Sequence, residues 1–211
     1  MKLSIRAVAP LLIFLLVPAV HGATISTPFT GGNTFAGNMF DVTNLTLDPV
    51  QILGTFRVNI SGAGPSSLSV YYRSGSYVGF ESSPDGWTLL GTDTGVTPLG
   101  VNQKTPIDVG NSFFIGGGGT YGFYVTVSDY PSSSMQYTNG NLTVSDGTLQ
   151  IVTGIGKGDP DFTGATFTPR IWNGEIDYAV GSAAIPEPSS LVLMGFGFGC
   201  LALLRKHVFR A

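Results

Sequence analysis

Gln51-Ile52-Leu53-Gly54-Thr55-Phe56-Arg57-Val58-Asn59-Ile60 decides the fold class. In an extended chain successive side chains point to opposite sides, so Ile52, Gly54, Phe56, Val58 and Ile60 share one face. Gln51, Thr55, Arg57 and Asn59 take the other. One apolar and one polar face describe a strand half-buried in an antiparallel sheet. The same period of two recurs at Leu68, Val70 and Tyr72, at Tyr121, Phe123, Val125 and Val127, and at Ile176, Tyr178 and Val180. No segment between these runs sustains a helical period.

The runs are punctuated by turn residues. Glycine supplies 30 of 211 residues and charged residues only 11%, a composition of short strands and many turns. Tyr137-Thr138-Asn139-Gly140-Asn141-Leu142 predicts a type I′ hairpin, because Asn-Gly tolerates positive φ at both central positions. Asp146-Gly147 and Ser83-Pro84-Asp85-Gly86 predict two further turns, and Gly116 to Gly119 a flexible connection before the Tyr121 strand. Turns about every ten residues predict an all-β, antiparallel sandwich or jelly-roll-like ectodomain, assigned to residues 23–180.

Both ends of the chain read differently. Lys2 and Arg6 precede an apolar run from Ala7 to Val17, and Val20-His21-Gly22 offers small or apolar residues for a signal peptidase, so residues 1–22 read as a signal peptide with an N-terminal signal helix. Residues 181–188 are a linker of small residues and prolines ending in Pro186-Glu187-Pro188. Residues 189–211 open with Ser189 and Ser190, continue through an uncharged run from Leu191 to Leu204, and close on Arg205, Lys206, His207 and Arg210. As a helix, Ser189 to Leu204 is about 24 Å long against a hydrocarbon core of roughly 30 Å. This transmembrane helix enters a bilayer but spans it poorly, and Gly195, Gly197 and Gly199 weaken it further. The cationic end stays on the cytoplasmic side, which leaves the ectodomain outside. Pro188 biases Glu187 to an extended backbone, a form that a processing enzyme grips readily.

A Pro-Glu-Pro, a short apolar stretch and a basic end, in that order, resemble the PEP-CTERM sorting signal of Gram-negative bacteria that make exopolysaccharide. The resemblance implies recognition by exosortase, a membrane-embedded thiol transpeptidase that removes the tail, with Pro186, Glu187, Pro188, Arg205 and Lys206 as the sorting residues. It implies a membrane-anchored precursor and a mature protein in the cell envelope or outside the cell. An ordinary C-terminal membrane anchor is the alternative reading of the same residues. The body of the chain, from Gly37-Asn38-Met39-Phe40-Asp41-Val42 through Gly86-Trp87-Thr88-Leu89-Leu90-Gly91 and Tyr121-Gly122-Phe123-Tyr124-Val125 to Phe167-Thr168-Pro169-Arg170-Ile171-Trp172-Asn173-Gly174, is similar to a β-sandwich module of bacterial exported and surface proteins. That likeness implies a fold and no activity.

Charge and residue usage exclude several functions. Five of the ten Lys and Arg lie in the terminal segments, whereas all thirteen acids lie between Asp41 and Glu187, so the exported part carries a net charge near −8. Such a surface repels phosphate backbones, and no nucleic-acid partner is expected. The single cysteine, Cys200, is in the tail, and His21 and His207 are in the terminal segments. A Ser-His-Asp or Cys-His centre is therefore impossible in the ectodomain, and zinc and copper sites fall with it. Carboxylates remain: Glu81, Asp85, Glu175 and Asp177 are by type the residues a glycosidase would use, but Glu175 and Asp177 share an outward strand face and are expected to be solvated. Asp159-Pro160-Asp161 in a Gly-rich loop offers two oxygens towards calcium, although a turn held by Asp side chains explains it without an ion; no metal or cofactor is expected.

Aromatics are the remaining candidates for ligand binding. Tyr71 and Tyr124 are expected to point outward and to be available for stacking on sugar rings, whereas Trp87 and Trp172 are ligand candidates only if they do not fill the core, which is their expected place. The leading expectation is an exported surface or extracellular-matrix protein without catalysis, with exopolysaccharide as a candidate partner. A carbohydrate-binding module is the alternative and a glycan-acting hydrolase the third.

Overall fold

The computed structural model describes residues 21–180. Residues 1–20 of the predicted signal peptide, the linker, the sorting residues and the predicted terminal helices lie outside the described residues. Sixteen strands follow in chain order: β1 (His21–Ser26), β2 (Asn33–Phe35), β3 (Gly37–Asn44), β4 (Val50–Val58), β5 (Ile60–Gly62), β6 (Ser66–Ser74), β7 (Thr88–Val96), β8 (Thr105–Asp108), β9 (Phe113–Ile115), β10 (Thr120–Val127), β11 (Ser133–Asn139), β12 (Thr143–Ser145), β13 (Leu149–Lys157), β14 (Thr166–Phe167), β15 (Arg170–Trp172) and β16 (Gly174–Val180). Every pairing between them is antiparallel, and no helix occurs among the described residues. The all-β, antiparallel expectation holds.

Two sheets form the sandwich. One runs β1-β16-β4-β8, with β9 also paired to β4; the other runs β12-β13-β3-β10-β6-β7, with β14 on β13. A small third sheet, β15-β11-β2 with β5 on β11, closes one end. The core between the sheets takes Ile52, Phe56 and Val58 from β4, Leu68 and Val70 from β6, Phe123, Val125 and Val127 from β10, and Ile176 and Tyr178 from β16. These are the apolar sets that the alternation marked. Phe40 stacks on Trp172 with centroids 4.2 Å apart, and the Phe123 ring meets Phe56 edge-on at 6.4 Å.

Gly54 shows why β4 needs a glycine in mid-strand. Between Ile176↔Phe56 and Tyr178↔Ile52 the register slips by two residues, so β4 bulges around Gly54, whose φ is +78°. Its carbonyl accepts the Val109 amide at 3.0 Å, and a Cβ there would run into the Asn111 carbonyl.

Three local expectations are corrected. Alternation puts Asn59 on the polar outer face, but it is fully buried: its Oδ1 accepts the Asn102 amide at 2.7 Å and its Nδ2 donates to Asn102 Oδ1 at 3.0 Å. It is the corner at which the chain leaves β4 for the third sheet. Asn139-Gly140 is not a hairpin turn, because β11 takes its partners from β15, β2 and β5. Gly140, at φ +120°, instead starts a crossing to the seven-stranded sheet, where β12 pairs with β13. Gly116 to Gly119 is a tight turn closed by a 2.9 Å bond from the Gly119 amide to the Gly116 carbonyl, rather than a loose connection. Asp146-Gly147 is a hairpin turn as expected, with Asp146 Oδ1 accepting the Thr148 and Leu149 amides at 2.9 Å.

Candidate functional site

The outer face of the seven-stranded sheet carries a row of register partners: Ile155, Met39, Tyr124, Tyr71 and Leu89, on β13, β3, β10, β6 and β7. Such neighbours stand about 5 Å apart, close enough for large side chains to form a continuous apolar strip. Ile155, Met39 and Tyr124 are buried, Tyr71 is half-buried and Leu89 is 50% exposed, so the strip opens towards β7.

Two loops cover the closed end. The β6–β7 loop contributes Tyr77 and Trp87, and the segment after β13 contributes Phe162; with Met39, Tyr124 and Ile155 they make a second, smaller core. Tyr77 is tied down by Asp41, whose Oδ1 accepts the Tyr77 amide at 3.0 Å while Oδ2 accepts the Ser76 hydroxyl at 2.6 Å. Burial raises the Asp41 carboxyl above its usual range despite these two donors. The Tyr77 hydroxyl lies where a Cβ on Gly154 would stand, which is why the bulge of β13 between Thr153 and Ile155 carries a glycine. Trp87 donates from Nε1 to the Phe80 carbonyl at 2.9 Å and sets its edge towards Tyr124, while Arg73 lies 3.4 Å above the Phe80 ring.

A polar row runs beside the aromatic one. Thr126, Ser69 and Thr92 are register partners, with 2.8 Å between the Ser69 and Thr92 hydroxyls. Thr126 donates to Asp161 Oδ1 at 2.6 Å and the Tyr124 hydroxyl donates to the same oxygen at 3.0 Å. Burial and the Asp161 charge together push the Tyr124 hydroxyl well above the ordinary tyrosine range, and the same two causes raise Tyr71.

The structure thus brings Tyr71, Tyr124 and Trp87 together and leaves Trp172 apart. Tyr71 stacks on Tyr124 at 5.9 Å, and Phe162 meets Tyr71 and Tyr124 edge-on at 5.2 and 5.0 Å. Tyr124 is corrected from an outward ring to a buried one, because Phe162 and Trp87 cover the face it points to. Trp172 fills the main core as expected and is removed as a ligand candidate. Trp87 is corrected as well, being half-buried at the rim of the second core. Phe162, at φ +60° in an aperiodic loop, offered no pattern by which to find it.

The carboxylate candidates lie on opposite sides of the sandwich. Glu81 and Asp85 belong to the β6–β7 loop, whereas Glu175 and Asp177 sit on β16 in the other sheet. Glu175 is only 5% exposed, which corrects its reading as solvated: Lys104 Nζ bonds to Oε1, and Arg57 Nε stands 3.6 Å from Oε2. Asp177 accepts from Arg57 Nη1 at 2.7 Å, Thr24 at 2.7 Å and Thr55 at 2.9 Å. Burial alone would raise Asp177, but these hydrogen bonds and the Arg57 charge outweigh it and hold the carboxyl below the usual range. An open groove of about 370 Å³ is lined by Arg57 and Asp177 together with Asp93 and Asp108. Of the two calcium candidates, Asp159 is exposed, while Asp161 is engaged by Thr126 and Tyr124. No group of three or more His, Cys, Asp or Glu placed to hold a metal ion occurs among the described residues.

The chain is an antiparallel β-sandwich followed in sequence by a linker and a C-terminal sorting tail. Residues 184–206 match the PEP-CTERM protein-sorting motif. No curated protein matches the chain. The motif marks the protein for exosortase-dependent sorting to the cell surface, through export and a membrane-anchored precursor.

Proposed function

We propose that this is a non-catalytic surface or extracellular-matrix protein of an exopolysaccharide-producing bacterium, held briefly in the membrane by residues 189–211 and then freed of its tail. The sorting motif at residues 184–206 carries this reading. The absence of catalysis is supported by the ion network on β16. A glycosidase needs one carboxyl kept protonated near neutral pH and a second kept ionised. Asp177 is held below the usual carboxylate range by its hydrogen bonds and the Arg57 charge, which does not suit the protonated role. Mass spectrometry of protein recovered outside the cell is expected to show a mature chain that begins at Ala23 and ends near Pro186-Glu187-Pro188. Extracellular chains that still carry Leu191 to Ala211 would sink the processing claim.

A second reading, carbohydrate binding, is favoured by one observation: the half-open ring of Tyr71 adjoins the row of hydroxyls at Ser69 and Thr92. A sugar stacks on the former while its own hydroxyls bond to the latter. Tyr71→Ala is expected to abolish retention of the domain on the host polysaccharide while moving the melting temperature by only a few degrees. Retention unchanged in that variant rejects this surface as the binding site. Tyr124→Ala is not a useful probe, since that ring is buried and its loss unsettles the second core.

A further inference from the structure

The two processed segments leave the sandwich at one point. β1 pairs with β16 in the register His21↔Val180 and Gly22↔Ala179, so the last two residues of the signal segment and the last two before the linker are neighbours on adjacent strands. Val180 also pairs with Val50, the first residue of β4. This end of the sandwich therefore carries the β3–β4 loop, the Gly116 to Gly119 turn and the Asp146-Gly147 turn.

The β3–β4 loop holds out two leucines. Leu47 is 97% exposed and Leu45 46%. Their exposure is not the result of a loose loop, because the backbone on both sides is braced. Asn44 Nδ2 donates to the carbonyls of Asp48, Ile115 and Gly116 at 2.8, 3.1 and 3.2 Å, and Asn44 Oδ1 accepts the Thr46 amide at 2.9 Å. The Leu45 amide donates to the Thr148 carbonyl at 2.8 Å, and the Gly118 amide to the Thr46 carbonyl at 3.0 Å. A fixed loop that presents a fully solvated leucine has left a favourable burial unused.

We propose that this leucine loop rests in the lipid interface while the tail anchors the precursor, so that the sandwich stands on the membrane on its Leu45–Leu47 end. The proposal rests on the anchored-precursor reading above. The length of the tether supports it: ten residues, 181–190, separate Val180 from the apolar run, and they span at most about 35 Å fully extended. β16 points its C-terminal end out of the same end that presents the leucines, so a tether of this length keeps that end nearest the bilayer. The loops at this end contribute Asp48 and Asp146 and no Lys or Arg. Contact is therefore apolar and shallow, and it does not require anionic lipid.

The opposite end provides an internal control. Leu99 and Val101, 59% and 50% exposed, lie in the β7–β8 loop beside Thr105, the partner of Val58. They are separated from the leucine loop by the length of β4, about 27 Å at the usual rise per residue. The full chain carrying Cys200→Ser, with a polarity-sensitive fluorophore on Leu47→Cys or on Leu99→Cys, would be reconstituted into phosphatidylcholine vesicles with and without brominated acyl chains. Both substitutions are at exposed sites and leave folding intact. The expected result is flotation of both proteins with the vesicles, and a label at position 47 that is blue-shifted and quenched several-fold more than the label at 99. Equal quenching, or stronger quenching at 99, overturns the orientation and leaves the anchor standing. Failure of both proteins to float overturns the anchor and this proposal together.

Discussion

Trp172→Ala is expected to destabilise the domain by about 3 to 5 kcal/mol, the range for removing a large aromatic from a packed core. For a domain of this size that lowers the melting temperature by roughly 6 to 20 °C. The cause lies in what surrounds the ring. The indole is fully buried, stacked on Phe40 at an interplanar angle of 12°, and seated against Gly174, where any Cβ would overlap it. Its backbone is fixed too, since the Trp172 carbonyl accepts the Thr27 hydroxyl at 2.6 Å. The cavity would lie where the two main sheets meet the third, so no single strand can move to fill it. Trp87→Ala is the paired measurement. That ring is half-buried at the rim of the smaller core and its one hydrogen bond is to the Phe80 carbonyl, so its loss is expected to cost about 1 to 2 kcal/mol. Thermal melts of the two variants, followed by circular dichroism, separate the sites. Equal losses contradict the assignment of the two tryptophans to different environments.

That contrast shows what the sequence could and could not reveal. Period-two alternation marked β4, β6, β10 and β16, because one face of each is buried in the main core and burial is what alternation records. It failed on β10 in one respect: Phe123 faces the main core and Tyr124 the second core, so Val125 and Thr126 are buried as well as their neighbours. Nothing in Tyr124 itself signals that Phe162 and Trp87, far away in the chain, will cover it. The same limit applies to Glu175. Its position on an outward strand face was legible, but its pairing with Lys104 comes from a loop 71 residues away. Asn139-Gly140 misled for another reason. The dipeptide correctly marked a residue with positive φ, but the partner of β11 was decided by the third sheet and not by the turn. The sorting tail was legible because its recognition depends on the order of residues in a short stretch, with no tertiary structure needed to assemble it.

Stability is expected to fall steeply once the pH passes about 10, and Tyr124 is the main cause. A tyrosine whose folded-state pKa is raised binds its proton more tightly when folded, so the stability it contributes is fully present below its unfolded value of about 10 and is lost as pH rises towards the folded one. Tyr124 loses about 1.4 kcal/mol per pH unit over that window, because ionising it in place would put a second negative charge beside Asp161 in a buried site. Tyr77 and Tyr178, raised first by burial, and Tyr71, raised by burial and Asp161, add smaller losses of the same sign. Lys157 acts in the opposite direction and at lower pH. It is fully buried, with Nζ bonded to the Gly164 carbonyl at 2.8 Å and the Thr166 hydroxyl at 2.7 Å, and burial lowers its pKa. A lysine lowered in the folded state gives stability that grows as pH rises to its unfolded value near 10.4 and then stops growing, just as the tyrosine losses begin. Urea unfolding between pH 8 and 12 should therefore show a shallow rise, a maximum near pH 10 and a sharp decline. Tyr124→Phe keeps the ring and its packing but has no proton to lose, so the decline should flatten by about 1.4 kcal/mol per pH unit. A decline as steep in Tyr124→Phe as in the parent would show that the hydroxyl ionises freely, and that the lid of Phe162 and Trp87 does not shut it from water.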